Sequence, residues 1–110
     1  MRILFDHQTF HIQRFGGISR YFYELINRLS DDDVSVALSF SMNRYIKHHP
    51  KCSHTNVTKK LFKVTEGVFR RLNKKNSLSK IAKGDFDLFH PTYYDPYFLD
   101  ALGDKPFVLT

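Results

Sequence analysis

Cys52 is the only cysteine, which rules out an intrachain disulfide framework and leaves nothing that demands an oxidising compartment. Long apolar runs are missing as well, and no stretch approaches the roughly 20 apolar residues that a membrane-spanning helix needs. After Met1 the chain passes directly into Arg2-Ile3-Leu4-Phe5, without the apolar core and small-residue cleavage site of a secretory signal, so a cytoplasmic location is expected. Neither a G-x-G-x-x-G fingerprint nor a Walker phosphate loop occurs. The pairs His7 with His11 and His48 with His49 lack cysteine or carboxylate neighbours at ligand spacing, so no metal is expected. There is no internal repeat.

What is present suits one globular domain. The 110 residues are 42% hydrophobic and include eleven Phe and six Tyr, enough for a real core. A formal net charge of +6 favours anionic partners, among them phosphate groups, nucleic acid and an acidic membrane face.

Ile3-Leu4-Phe5 is a short continuous apolar run, as in an inner strand of a parallel sheet covered on both faces. Residues 7 to 16 have no period and read as a loop closing on Gly16-Gly17. Ile18, Phe22, Leu25 and Leu29 then share one helical face, and Asp31-Asp32-Asp33 oppose the helix dipole, so this helix is expected to stop near Ser30. The alternation Val34, Val36, Leu38, Phe40 predicts a second strand. The polar stretch from Ser41 to Thr58 reads as a long loop or weakly ordered excursion. Leu61, Thr65, Val68 and Leu72, joined by Phe62 and Phe69, predict a helical core stripe, with a break at Asn76-Ser77 before Leu78 to Lys83. A third strand is expected at Phe86 to Phe89, a short helix from Asp95-Pro96 to Gly103, and a fourth strand at Phe107 to Thr110. A chain that stops inside a strand suggests a trimmed fragment.

Alternating strands and helices predict an α/β fold with a Rossmann-like open parallel sheet and flanking helices. With the second and third strands on opposite sides of the first, the strand order reverses, and ligands bind at such switch points. That arrangement gathers Asp6, Gly16-Gly17, His90 and the Tyr93-Tyr94 pair around one crevice. Glycines before a helix let backbone approach a phosphate while free N–H groups point at it, and Arg20 adds charge one turn in; equally, many strand-to-helix turns contain glycine for structural reasons alone. His90, at a strand end before Pro91, reads either as a substrate-binding group or as an ordinary hydrogen-bonded histidine. Tyr93, Tyr94 and Tyr97 offer stacking faces for a sugar ring, or simply complete a core. Asp85-Phe86-Asp87 superficially matches a metal-binding Asp-x-Asp but precedes its strand, and is rejected. Lys59, Lys60, Lys63, Arg70, Arg71, Lys74 and Lys75 give their helix a basic character suited to an anionic membrane or to plain solvation.

The run DHQTF, then GGISRYFYEL, with DLFHPTYY and KPFVLT later, resembles the start of family-4 glycosyltransferases. The likeness is strongest at residues 2 to 29 and 86 to 110, and poor between Ser41 and Lys83. It implies the incomplete, acceptor-side first domain of a GT-B enzyme, spanning residues 1–110. It also implies a retaining transfer from a nucleotide-diphosphate sugar to a glycan or lipid-linked acceptor, with no metal or other cofactor. Gly16 and Gly17 match the family's glycine-rich loop facing the donor diphosphate, Arg20 the basic residue beside it, and His90 a histidine at a strand end. The switch-point arrangement, apart from the resemblance, assigns Asp6, Tyr93 and Tyr94 to the acceptor site or the cleft. A further family histidine and the paired glutamates of the second domain have no counterpart in these residues, so the fragment alone is expected to be inactive. The alternative is a non-catalytic basic module that binds nucleic acid or anionic membrane, nucleic acid being the less favoured. Contact with the inner membrane face is expected to run through the Lys59 to Lys75 helix.

Overall fold

The computed structural model describes residues 1–110, apart from the side chain of Val64. Three short parallel strands, β1 (Ile3–Phe5), β2 (Val34–Val36) and β5 (Leu88–His90), form the central sheet in the order β2-β1-β5. Strand β1 is therefore central and the order reverses on either side of it. Phe107 adds a single parallel bridge to Phe89, with Phe89 N–H donating to Pro106 and Val108 N–H to Phe89, so the expected fourth strand is reduced to that bridge.

The alternation of side chains along β1 sends its neighbours into two cores. Leu4 packs with Ala37, Ile81, Phe86, Phe89, Phe98 and Leu102. Phe5 packs with Phe10, Phe22, Ile26, Val36, Leu38 and Ile46. Helix α2 (Gly17–Arg28) supplies Phe22 and Ile26 to one face, and helix α3 (Lys59–Lys83) supplies Ile81 to the other. The result is an α/β fold with a small parallel sheet between helices, consistent with a Rossmann-like arrangement.

Helix α2 ends where its dipole would meet the aspartates, which instead form a separate 3-10 turn, Asp31–Asp33. Lys51 Nζ donates to the carbonyls of Ile26 and Leu29 and lies 3.4 Å from Asp31 Oδ1, a cation on the negative end of the helix. Thr58 Oγ1 caps α3 by accepting from Leu61 N–H, and Gly84 ends it in a left-handed conformation at φ 69° that favours glycine.

Several expectations are corrected. The presumed loop over residues 7 to 16 contains a helical turn, α1 (Gln8–Ile12), whose buried face is built from Gln8, Thr9, Phe10 and His11 and so has no apolar period to read. The second strand does not run to Phe40. After Ala37 N–H donates to Phe5, the amides of Ser39 and Phe40 both donate to Asn73 Oδ1, which diverts the chain into a separate pair of β3 (Phe40–Ser41) with β4 (Thr55–Asn56). The polar segment 41 to 58 is not a loose excursion: Ile46 is a core residue, and Asn43 accepts from the amides of Tyr45 and Ile46 while donating to Gln13.

Helix α3 runs through Asn76-Ser77 without a break. Its kink lies at Thr65, whose hydroxyl donates to the Leu61 carbonyl, a side-chain bond that bends helices. The expected core stripe is also displaced. Leu61, Val68 and Leu72 are 48%, 49% and 39% exposed, whereas Phe62, Asn73, Ser77 and Ile81 are buried. The expected helix at Asp95-Pro96 starts later, as α4 (Leu99–Leu102), and Asp95 accepts from Tyr97 N–H ahead of it. Among the described residues no helix is long and apolar enough to cross a membrane.

Candidate functional site

The carboxyl ends of β1 and β5 lead into two different environments. Directly after β1, Asp6 is 0% exposed and accepts five hydrogen bonds, from the backbone and side chain of Gln8, the backbone and hydroxyl of Thr92, and the hydroxyl of Tyr97. Asp6 is thus not a wall of the crevice, as expected from sequence, but a hub that pins the 91–97 loop to the sheet. Gln8 reinforces it by exchanging two hydrogen bonds with the backbone of Asp95. Tyr97 belongs to this hub and not to a sugar platform; burial first, then the Asp6 carboxyl, pushes its phenol pKa up.

The open side of the switch point is a cleft of about 430 Å³ lined by Gly17, Ile18, Tyr21 and Phe22 of α2, by Pro91, Thr92, Tyr93 and Tyr94, and by Leu109 and Thr110. The glycine turn and the tyrosine pair expected to share a crevice do share one. The Tyr93 and Tyr94 rings lie 4.7 Å apart at 45°, and Tyr94 is 76% exposed, so an aromatic face is presented to solvent. No charged side chain lines the cleft. Arg20 is exposed on the first turn of α2 but is not one of the lining residues.

The amino end of α2 borders this cleft with backbone N–H groups. Arg20 N–H donates to the Gly16 carbonyl and Ser19 N–H to Gln13 Oε1, while among the described residues no acceptor engages the amides of Gly17 and Ile18. At Gly16 a Cβ would stand 2.7 Å from Gln13 Oε1, so a larger residue there displaces the side-chain end that receives the Ser19 amide. A Cβ at Gly17 would meet nothing within 4 Å. Gln13 escaped the sequence reading because no motif marks it.

His90 lies behind the cleft. Its ring stacks on Phe5 at 5.2 Å and meets Phe22 edge-on at 5.1 Å, and Nε2 is 3.2 Å from Thr110 Oγ1. Burial lowers its pKa, against the opposing pull of Asp6, so the ring is held neutral. It supports the floor and touches the cleft lining through Phe22 and Thr110.

The His7 and His11 pair is absorbed into the fold. His7 Nδ1 shares a 2.7 Å hydrogen bond with Ser77, and His11 Nδ1 accepts from Asn73. Among the described residues no group of three His, Cys, Asp or Glu is placed to hold a metal. Asp85 and Asp87 both bind Arg2. A second cleft of about 420 Å³ near them mixes Arg2, Lys80 and Lys83 with Asp31, Asp32 and Asp85 at the amino edge of the sheet, away from the edge where such folds bind ligands. Comparison with protein families, curated proteins and solved structures finds no match to this chain.

Proposed function

We propose that these residues are the acceptor-side first domain of a retaining GT-B type glycosyltransferase, which moves a sugar from a nucleotide-diphosphate donor to a glycan or lipid-linked acceptor. The observation that carries the reading is the cleft in which the unengaged amides of Gly17 and Ile18 sit with half-buried Tyr93 and exposed Tyr94. An aromatic face suits the apolar side of a sugar ring, and helix N-terminal amides suit the charge that builds on a departing diphosphate. Arg20, exposed one turn in, adds long-range positive potential. The resemblance assigns the larger part of the donor site to a second domain, so the 110 residues alone are expected to show no transfer. Gly17→Val in the full-length enzyme adds a side chain into open space, leaving the fold intact but filling the cleft. Turnover is expected to fall about a hundredfold, as for a misplaced substrate. Wild-type turnover in that variant defeats the assignment.

A second reading, a basic module resting on anionic membrane, is favoured by one observation. Leu61, Val68 and Leu72 form an exposed stripe at helical spacing, and Lys60, Arg71 and Lys75 are exposed on the same helix. Sedimentation with phosphatidylglycerol vesicles at low and moderate salt tests it. Binding to neither vesicles nor RNA at low salt removes it.

A further inference from the structure

A third cavity of about 190 Å³ lies between Arg14, the 41–47 segment and the start of α3, and shares no lining residue with the tyrosine cleft. Its charged lining is wholly basic: Arg14, Arg44, Lys47 and Lys59, alongside Ser41 and Asn56, with no carboxylate. Among the described residues, the ion pairs of the chain are Met1 with Asp33, Arg2 with Asp85, Arg28 with Glu24, Lys51 with Asp31 and Arg70 with Glu66. None involves these four cations.

Hydrogen bonds remote from the charges hold them together. Arg44 N–H donates to the Arg14 carbonyl at 2.8 Å, Asn43 Nδ2 to the Gln13 carbonyl at 2.8 Å, and Asn56 Nδ2 to the Lys47 carbonyl at 2.8 Å. Three separate segments are thereby tied into one concave surface. Gathering like charges without a counter-charge raises the local potential and draws in an anion. The positive end of the α3 dipole adds to it, with Thr58 and Lys59 on the rim. At about 190 Å³ the cavity is well below the roughly 300–1,000 Å³ of drug-sized ligand pockets, which suits a compact oxyanion and not a whole nucleotide sugar.

We infer that this cavity binds a phosphoryl group, with the Arg14 and Arg44 guanidinium groups and the Lys47 and Lys59 ammonium groups as its donors. The site as an anion site stands on the cavity alone. Its role, holding a phosphate carried by the acceptor, rests on the transferase reading above. The donor diphosphate belongs to the uncharged tyrosine cleft, so the two anion-facing surfaces are distinct.

Amide NMR titration of the chain with inorganic phosphate, at constant ionic strength against chloride, tests the site. Saturable shifts are expected at residues 44–47 and 56–60. The double variant Arg44→Gln/Lys47→Gln should weaken the apparent affinity about tenfold, as expected for lost charge-assisted hydrogen bonds. Arg71→Gln/Lys75→Gln, which removes the same charge from exposed positions on α3, should change it less than about twofold. Equal weakening by both double variants, or shifts that never saturate, overturns the site. Methyl phosphate and phosphatidylcholine vesicles carrying phosphatidic acid then separate the sources of the phosphate. Selective loss of methyl phosphate in the first double variant assigns a soluble ester, and selective loss of the vesicles assigns a lipid headgroup. All four side chains are solvent-accessible, so the variants keep the fold. Because the titration needs no donor sugar, a failed Gly17→Val test with intact phosphate binding removes the transferase role and leaves the anion site.

Discussion

Two regions of the molecule invert the usual relation between polarity and burial, in opposite directions. Just past β1, the residues Asp6, His7, Gln8 and Thr9 are polar and almost wholly buried. Along the first half of α3, Leu61, Val68 and Leu72 are apolar and exposed. The first region is stable because most of its polar groups find partners, and those partners lie far away in the chain: Thr92 is 86 residues and Tyr97 91 residues from Asp6. In the second, Asn73 and Ser77 occupy the inner face that an apolar pattern would assign to leucines, because their side chains bond the backbone of the β2-to-β3 crossover and the histidines of α1 and its start. Burial in this protein follows hydrogen-bond satisfaction where chain crossings leave backbone groups unpaired.

The sharpest way to break this comparison is at the hub. Asp6→Ala strands five donors in a buried place and should cost about 4 kcal/mol or more, a large share of a small domain's stability. A urea melt within experimental error of wild type would contradict the hub. Asn73→Leu is expected to cost about 2–3 kcal/mol despite being more apolar, since the amides of Ser39 and Phe40 lose their acceptor. Increased stability would show that α3 prefers the apolar pattern after all.

Protonation probes the same buried surface. Burial, aided by the like charges of His7 and Arg70, lowers the His11 pKa to about 4. The folded state therefore binds fewer protons than the unfolded state between about pH 6.5 and 4, and stability present above that window is lost as pH falls through it. The loss between pH 7 and 5 should be roughly 2 kcal/mol from this residue. It should shrink in His11→Phe, read from urea midpoints at the two pH values. At the other extreme, Leu72→Ser should change stability by less than about 0.5 kcal/mol while weakening any vesicle binding. A cost of several kcal/mol would mean that the stripe is buried in solution.

The central sheet was readable because its signal is local. Ile3-Leu4-Phe5 is a bare apolar run, and Gly16-Gly17 and Ile18 to Leu29 show their turn and period within a few residues. The runs alone do not fix which side of β1 each neighbour takes; the order β2-β1-β5 matches the arrangement supposed for a switch point, and it brings Gly17 together with Tyr93 and Tyr94. Helix α1, the early end of β2 and the true inner face of α3 were not readable, because each depends on a polar side chain whose partner is set by tertiary contact. Position at the carboxyl end of β1 puts Asp6 beside the switch point, and only the Thr92 and Tyr97 contacts show it turned inward. The phosphate-sized cavity was equally hidden, since Arg14, Arg44, Lys47 and Lys59 fall in separate segments with no common motif.

The loop that carries Tyr93 and Tyr94 is pegged on both sides, at Thr92 by Asp6 and at Asp95 and Tyr97 by Gln8 and Asp6. Two residues between fixed pegs have little freedom left to surrender. The conformational entropy of shaping this aromatic bracket is spent during folding, so a ring that docks on it meets a wall already set in place.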